Sequence, residues 1–522
     1  MPLDPTSEFA SASGAAAGRP GGLRPAPGAG GAVGDTSFFG HPRGLSTLFF
    51  TELFERFSYY GMRALLILYM TATIANGGLG FDAARAGAIY GLYGAGVYLL
   101  ALPGGWIADK LVGQRRAVLI GGIVIAAGHF CLALDNVQTF YVGLVLIVIG
   151  TGLLKPNIST MVGELYPEGG ARRDAGFSIF YMGINLGAFI APIVCSTLAT
   201  RVGWHVGFGA AGVGMVIGVI QYVLGGRHLG QAGLYPDTGA DPKIRSGNMR
   251  ALLYGIGAVF AIVAIILVLR SVGTLDITIT KAADVTGILI VSLAILYFAY
   301  MFFAGGLAPV ERKRVTAIFV LFIFSALFWS GFEQAGSSLN LMAERRTDLN
   351  LFGWEMPAGY LQSVNALFII MLAPVFAFIW IGLARRNNEP SSPTKFTLGL
   401  VFLGLGFAVM IIAAQRSEGG AQVSPMYLVV TYLLHTIGEL CLSPVGLSTV
   451  TKLAPHRMVG QMMGVWFMSI SLGNLMAGRV AGQFETMPPP QIFTMVTAIT
   501  LGGGVILALL IIPIKRLMSG VK

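Results

Sequence analysis

Charged residues are scarce in this chain of 522 residues. Asp, Glu, Lys and Arg make up 11% of it and apolar residues 55%, whereas a typical soluble domain carries about 25% charge. Cysteine is nearly absent: the three thiols lie singly in apolar runs, so neither a disulfide framework nor a metal site follows. With a mean hydropathy of +0.74, the composition predicts an all-α polytopic membrane protein.

The formal net charge of +10 does not indicate nucleic-acid binding, because most Lys and Arg lie in short loops. With the amino terminus inside, ten basic residues fall in cytoplasmic loops and five in the opposite loops. The cytoplasmic set is Lys110, Arg115, Arg116, Arg172, Arg173, Arg385, Arg386, Lys395, Lys452 and Arg457. The opposite set is Arg85, Arg201, Arg345, Arg346 and Arg416. This bias predicts that both termini are cytoplasmic.

Fourteen apolar segments follow a Gly-, Ala- and Pro-rich start, in groups of six, two and six. We expect a disordered tail (1–37), a six-helix bundle (38–226), a linker with two extra helices (227–314) and a second six-helix bundle (315–522). The predicted segments are 46–76, 83–110, 116–135, 138–163, 173–200, 204–225, 250–270, 285–304, 315–343, 356–384, 395–414, 425–453, 458–482 and 490–514.

The first apolar segment contains three charges, Glu52, Glu55 and Arg56, at spacings that place them on one helix face. A charge at bilayer depth costs at least about 2.5–3.5 kcal/mol, so such residues usually face a polar interior and mark a substrate or ion path. A purely structural ion pair is the alternative for one buried pair.

Further ionisable residues lie inside other segments: Arg63, Lys155, Glu333 and Glu439. Buried acids recur in the first segment of each six-helix set, and a charge followed by proline recurs in the fourth, which favours two repeated halves with a site between them. Carboxylates near a movable basic residue can change protonation state, so this buried ionisable set as a whole, with Glu52, Glu55 and Arg56, is suited to proton coupling. A structural charge network remains the alternative.

This distribution of charge suits a zwitterionic substrate. Arg56 could bind a carboxylate bidentately with Lys155 beside it, and Glu439 could bind an amine with help from Asn185 and Asn365. Chemistry alone admits an amino acid as readily as a short peptide. Aromatic side chains that could line such a site, or only pack between helices, are Tyr59, Tyr60, Tyr98, Trp329 and Trp466.

Three motifs together resemble a known family. The stretch from Glu52 to Arg63 looks like the E-x-x-E-R signature of the proton-dependent oligopeptide transporters, in the major facilitator superfamily. The stretch from Phe180 to Gly187 resembles that family's second signature. The stretch from Gly105 to Arg116 is similar to the superfamily's loop motif. The resemblance covers about 38–518.

The resemblance implies the major facilitator fold: two six-helix bundles plus two extra helices between them. It implies a proton-coupled symporter that imports di- and tripeptides by alternating access, not an enzyme, with no cofactor besides the coupling proton. In this reading Arg56 and Lys155 receive the peptide carboxylate, while Asn185, Asn365 and Glu439 receive its amino group. The resemblance also implies that proton movement is coupled to gating by Glu52, Glu55, Arg56, Lys155 and Glu333. The implied peptide-contacting aromatics are Tyr59, Tyr60, Tyr98, Trp329 and Trp466.

The expected location is the bacterial inner membrane, as a monomer with several spans. Two alternatives stay open: another solute, such as nitrate or a drug, carried by the same fold, and a membrane enzyme or non-transporting sensor. An enzyme would need a nucleophile–base set or a metal cluster, which the sequence does not offer. A gate on the extracellular side is a further expectation, with Arg85 and Glu344 as one candidate pair.

Overall fold

The computed structural model describes residues 35–234, 242–274, 276 and 278–521. Within these residues, fourteen helical segments are long enough to cross a membrane, as predicted. The first half contains α1 (Arg43–Thr71), α2 (Ala83–Val112), α3 (Gln114–Leu132), α4 (Val137–Glu164), α5 (Gly170–Arg201) and α6 (Trp204–Leu229). The extra pair is α7 (Pro242–Ser271) and α8 (Ile279–Ala304). The second half contains α9 (Pro309–Arg346), α10 (Ala358–Arg385), α11 (Ser392–Arg416), α12 (Met426–Leu453), α13 (Val459–Ala481) and α14 (Pro489–Leu517).

Helices α1 and α13 differ in composition from the rest. The other twelve are apolar enough to be recognised as spans by hydropathy alone, within the described part of the chain. Helix α1 is less apolar because it carries Glu52, Glu55, Arg56 and Arg63, all buried. Polar side chains also interrupt α13, including the buried Asn474. Burial of these groups inside the protein keeps them out of contact with lipid.

The helices form two bundles that meet along three seams. In the first bundle α1 packs on α5 and α6, and α3 packs on α4; in the second, α11 packs on α12 and α14. The seams pair α2 with α13, α5 with α10, and α1 with α9. We call the membrane face at which α1 begins the near face and the opposite one the far face. An even number of crossings brings α14 back to the near face.

The two bundles are in close contact toward the far face. At Gly87 of α2 an added Cβ would lie 2.2 Å from the carbonyl oxygen of Gly478 on α13, so the two backbones touch. The side-chain amide of Asn340 donates to the carbonyl of Ala64 at 2.9 Å, joining α9 to α1. Ser363 of α10 donates to the carbonyl of Phe189 on α5. Below these contacts the bundles enclose a cleft.

Helix α9 runs beyond its predicted end at residue 343 and is interrupted by a 3₁₀ turn at Glu333–Gly336. The turn lies where α9 crosses the first bundle: a Cβ at Gly336 would be 2.1 Å from the Tyr90 hydroxyl and 2.6 Å from Nε of Arg63. Helix α1, in contrast, ends at Thr71 rather than at the predicted residue 76, and a short 3₁₀ turn follows.

The extra helices differ from each other in their contacts. Helix α7 has no buried residue within its most apolar window. Helix α8 packs against both α2 and α13, so it lies across the seam between the bundles. An ion pair from Asp284 to Arg479 and a hydrogen bond of 2.8 Å from Tyr297 to Gln461 join α8 to α13 near both ends. Of the tail predicted at 1–37, residues 1–34 lie outside the described part of the chain.

Candidate functional site

Helix α1 places three charges at its midpoint. Nε of Arg56 lies 3.0 Å from Glu52 and 2.5 Å from Glu55, and all three side chains are almost fully buried. Nη2 of Arg56 has no hydrogen-bond partner among the described residues. Since a guanidinium has five N–H donors, the group keeps donor capacity for another anion. The predicted charge triad is therefore assembled by a single helix.

Helix α4 brings Lys155 to the same region. Its ammonium lies 4.2 Å from the centre of the Tyr98 ring, and it is within electrostatic range of Glu52, Glu55 and Glu333. Among the described residues, no carboxylate is close enough to form an ion pair with it. Pro156 follows within the helix and removes one backbone donor at this level. Lys155 is thus a half-buried cation next to acids, with no ion pair to any carboxylate among the described residues.

An ion pair joins the two bundles at the α1–α9 seam. Nη2 of Arg63 lies 2.9 Å from Glu333, and both side chains are buried. Nε of Arg63 donates to the Tyr90 hydroxyl at 2.8 Å, and that hydroxyl donates to the Glu333 carbonyl at 3.4 Å. The sequence identified both ionisable residues but not their pairing, and it gave no signal for Tyr90. The pair stabilises the contact between the bundles toward the far face.

The second bundle provides an acid on the opposite wall of the cleft. The amide of Asn365 on α10 donates to Glu439 on α12 at 3.2 Å and to the Thr436 hydroxyl at 2.9 Å. Asn185 on α5 donates to the backbone carbonyl of Tyr181 at 2.9 Å. Tyr181, which sequence reasoning missed, lies within electrostatic range of Glu439. The predicted neighbours Asn365 and Glu439 are therefore in direct contact.

These groups lie at similar depth in the membrane. Arg56 is near the middle of α1 (Arg43–Thr71), Asn185 near the middle of α5 and Glu439 near the middle of α12. At about 1.5 Å of rise per residue, each is on the order of 20 Å from either end of its helix. The structure thus brings charges from both bundles together halfway across the membrane, where transporters of two repeated halves bind their substrates.

The predicted aromatic residues occupy different surroundings. The Arg56 guanidinium lies 5.4 Å from the Tyr59 ring, and Arg63 lies 5.7 Å from Tyr60. Trp329 on α9 packs edge-on against two phenylalanines of the same helix. Trp466 is buried against Phe396 of α11, inside the second bundle. Tyr60 and Tyr98 therefore lie beside charged side chains, Arg63 and Lys155 respectively. Trp466 instead packs within the second bundle.

The candidate gate formed by Arg85 and Glu344 is wrong. Arg85 donates to the Tyr141 hydroxyl at 3.0 Å and lies over the Phe81 ring, both in its own bundle. Glu344 lies 3.6 Å from its neighbour Arg345. Local partners satisfy both residues, whereas Arg63 and Glu333 form a charged contact between the bundles.

A cavity of about 460 Å³ lies between α5 and α10, with α4 and α12 contributing to its walls. Glu439 and Asn185 line one end of it. The remaining walls are mostly aliphatic and aromatic, and no Lys or Arg is among the lining residues. Its volume falls in the range of about 300–1,000 Å³ that is typical of small-molecule sites.

Comparison with known proteins is consistent with this arrangement. The model of the POT family matches residues 115–495, which is most of the chain. The chain belongs to the POT family. A peptide transporter named YePEPT from Yersinia enterocolitica is 45% identical over 504 residues, covering 94% of this chain and 98% of the relative. A di-/tripeptide transporter from Lactococcus lactis subsp. cremoris is 38% identical over 496 residues, covering 94% and 99%.

The fold agrees with a solved member of the family. A crystal structure of the peptide transporter POT in complex with sulfate superposes with a TM-score of 0.87, at 44% identity, covering 93% of this chain and 97% of that one. The resemblance seen in the sequence motifs and the predicted major facilitator fold are confirmed. Because the POT relatives are named as transporters, the prediction that the chain is not an enzyme is confirmed. The individual residue roles stay predictions.

Proposed function

We propose that this POT-family protein is a proton-coupled symporter that imports di- and tripeptides by alternating access. The relatives that match nearly its whole length are named as peptide or di-/tripeptide transporters. The observation that carries the proposal is the division of charge across the cleft. The first bundle contributes the cations Arg56 and Lys155, and the second contributes Glu439 with its partner Asn365. Arg56 and Glu439 both lie near the midpoints of their helices.

A peptide backbone matches this division because its two ends carry opposite charges. Its carboxylate would bind the donors that Arg56 leaves unused, with Lys155 as a second cation. Its ammonium group would bind Glu439, whose position is fixed by the amide of Asn365. Binding of one substrate by both bundles lowers the free energy of the state in which they approach each other. A solute with a single negative charge would have no need of Glu439.

Charge balance gives a reason for proton coupling. The ionisable set within the membrane helices contains four acids (Glu52, Glu55, Glu333 and Glu439) and three bases (Arg56, Arg63 and Lys155), of which Glu439 and Lys155 are half-buried and the others buried. If all are ionised, the site has a net charge of −1, and a zwitterionic peptide does not change it. One proton neutralises the site, which favours movement of the loaded protein through a low-dielectric membrane. We therefore expect the proton to accompany the peptide.

Release of the far-face contact would be the conformational step. Protonation of Glu333 removes its charge and weakens its bond to Arg63, the buried ion pair between the bundles. The freed guanidinium remains hydrogen-bonded to Tyr90. The far face can then open while the near face closes around the cleft, and loss of the proton restores the present state.

The direct test is uptake of labelled dialanine into proteoliposomes with and without an inward proton gradient. The proposal expects accumulation that requires the gradient and is competed away by unlabelled trialanine. Binding without accumulation would indicate a sensor. Neither binding nor uptake would indicate another solute, such as nitrate, and would overturn the proposal.

Two variants test the division of charge. Arg56→Ala and Glu439→Ala should each abolish accumulation, because each leaves one end of the peptide without its partner. The matched control is Glu418→Ala, which removes an exposed glutamate outside the membrane helices and should leave uptake unchanged. Wild-type uptake by both cleft variants would contradict the assignment.

We also propose that the near face is cytoplasmic and that the protein resides in the bacterial inner membrane. Support comes from the excess of Lys and Arg in the loops assigned to this face. In intact cells, a cysteine introduced at Gly77, in the far-face loop after α1, should react with a membrane-impermeant maleimide. A cysteine at Glu168, in the near-face loop before α5, should react only after lysis.

A further inference from the structure

Helix α7 crosses the membrane with little contact to the rest of the protein. Every residue from 253 to 268 is exposed, and because this stretch covers about four turns, no face of it is covered by a neighbour. Its main packing contact is at the near face, where it meets the turn Ala108–Val112 at the end of α2. We propose that the space between α7 and α2, which we call the α7 groove, binds an anionic phospholipid with its headgroup at the near face.

The walls of the α7 groove suit acyl chains. The exposed stretch of α7 is apolar in every direction, and side chains such as Tyr254 and Phe260 are more than half exposed. On α2, Trp106 is exposed one turn from the contact, and tryptophan is typical of the headgroup level of a membrane. Two apolar helices gain no hydrophobic free energy by approaching each other within a bilayer, because lipid tails solvate them equally well. Lipid tails therefore fill the space between α7 and α2.

The near-face end of the α7 groove is strongly basic. Residues 108–116 of the first bundle and 242–250 of α7 contain six basic residues and a single acid, Asp109. Arg245 and Arg250 lie in the first turns of α7, and both are exposed. Basic pockets between membrane helices at this level bind anionic headgroups. A headgroup with a net negative charge therefore complements this end better than a zwitterionic one.

Other charged groups near this contact are bonded elsewhere. Arg115 donates to the backbone carbonyls of Ala232 at 3.0 Å and Gly230 at 2.7 Å, in the segment after α6. The carboxylate of Glu164, at the end of α4, accepts from the backbone N–H of Gly233 at 2.7 Å. These two residues hold the segment that leads to α7, and the exposed arginines of α7 are the cations placed to meet a headgroup.

A second copy of the chain is a poorer occupant of the α7 groove than a lipid. Two copies in one membrane have the same orientation, so an interface between their α7 helices would bring Arg245 and Arg250 of each copy together. Like charges that meet at an interface repel each other. The same cations attract an anionic headgroup, and each contributes about fivefold to its affinity. The charge therefore favours a lipid over a second protomer.

The first experiment measures lipid binding to the delipidated full-length protein in detergent by native mass spectrometry. Phosphatidylglycerol and phosphatidylcholine with identical acyl chains are titrated separately. We expect one phosphatidylglycerol to bind at least about tenfold more tightly than phosphatidylcholine. The variant Arg245→Gln/Arg250→Gln should weaken phosphatidylglycerol binding by about 25-fold, because two cations are lost, and leave phosphatidylcholine binding unchanged.

Two matched controls test whether the position of the charge matters. Arg312→Gln/Lys313→Gln removes two exposed cations from the same membrane face, at the start of α9. Arg270→Gln removes an exposed cation from the opposite end of α7. Both variants should bind phosphatidylglycerol as the wild type does, because neither change is at the near-face end of the α7 groove.

A second readout tests whether the lipid lies in the groove. Spin labels at Val259, in the middle of α7, and at Ile120, on α3, report the distance between α7 and the first bundle, and both positions are exposed. In nanodiscs of phosphatidylcholine the distance distribution should be broad, because α7 has few contacts of its own. Added phosphatidylglycerol should narrow the distribution in the wild type but not in Arg245→Gln/Arg250→Gln.

Several results would overturn the inference. Equal affinity for the two lipids, or an equal loss in Arg312→Gln/Lys313→Gln, would mean that α7 is surrounded by bulk lipid without a specific site. An unchanged distance distribution would mean that the bound lipid lies elsewhere. A disulfide-linked dimer formed in high yield by Val259→Cys would mean that a second copy covers α7. None of these readouts involves transport, so each outcome leaves the proposed function as it stands.

Discussion

Replacing Glu333 with glutamine should open the far face of the protein. The carboxylate lies 2.9 Å from Arg63, and the two side chains are only 5% and 7% exposed. Glutamine keeps the shape and an acceptor oxygen but removes the negative charge, so Arg63, which also donates to the Tyr90 hydroxyl, becomes a buried cation without a counter-charge. Removing one member of a buried pair costs about 3–5 kcal/mol. Because the pair joins the two bundles only while the far face is closed, the substitution raises the free energy of the closed state relative to the open one.

The expected size of the effect follows from that cost. A change of about 3 kcal/mol corresponds to more than a hundredfold change in the ratio of closed to open far face. Spin labels at Ala84, at the start of α2, and Thr486, just after α13, report this opening, because both positions are exposed at the far face. In Glu333→Gln the distance distribution should move to longer values, and gradient-driven peptide uptake should fall.

The control variants decide whether the ion pair is responsible. Glu418→Gln makes the same chemical change at an exposed site and should leave the distances unaltered. The double variant Arg63→Met/Glu333→Gln removes both charges and should restore much of the closed population, because no unpaired buried charge remains. Unchanged distances and uptake in Glu333→Gln would refute the reasoning.

Three further predictions concern the cleft wall and the helix seams. Glu439→Gln removes the negative charge proposed to pair with the peptide ammonium and should weaken dialanine binding by about 10- to 100-fold, measured by calorimetry. Gly478→Leu adds a side chain where an added Cβ would lie 2.3 Å from the carbonyl of Gly87, so it should disfavour far-face closure and slow uptake, measured in proteoliposomes. At Gly187 an added Cβ would lie 2.3 Å from the carbonyl oxygen of Leu53. Gly187→Leu should therefore lower the free energy of unfolding by about 1–3 kcal/mol, measured as a lower melting temperature in detergent.

Much of the architecture was predictable from local sequence signals. Long apolar segments fixed the number of helices, because a bilayer needs about 20 residues per span. The charges in α1 identified the centre of the site, because an ionisable residue at this depth is costly unless it has a function or a partner. Asn365 and Glu439 were expected to bind the same substrate amine, and the structure adds a direct hydrogen bond between them that was not predicted.

The pairing between helices was not predictable in the same way. Arg63 was visible as a buried cation, but its choice of Glu333 depends on the 3₁₀ turn that brings α9 against α1. The proposed partnership of Arg85 with Glu344 failed because each residue has a nearer partner in its own bundle. Neither the 3₁₀ turn nor those local contacts produce a periodic pattern of residues from which they could be predicted. The cavity between α5 and α10 was not predicted for a similar reason, since the apolar residues that line it have the composition of any membrane-spanning helix.

The attachment of α8 has a consequence for the way the two bundles rock. The Asp284–Arg479 pair and the Tyr297–Gln461 bond tie this helix to α13 near both membrane faces, whereas its contact with α2 has no comparable polar bond among those described. When the two bundles rotate relative to each other, we therefore expect α8 to move together with the second bundle while its other surface slides over α2.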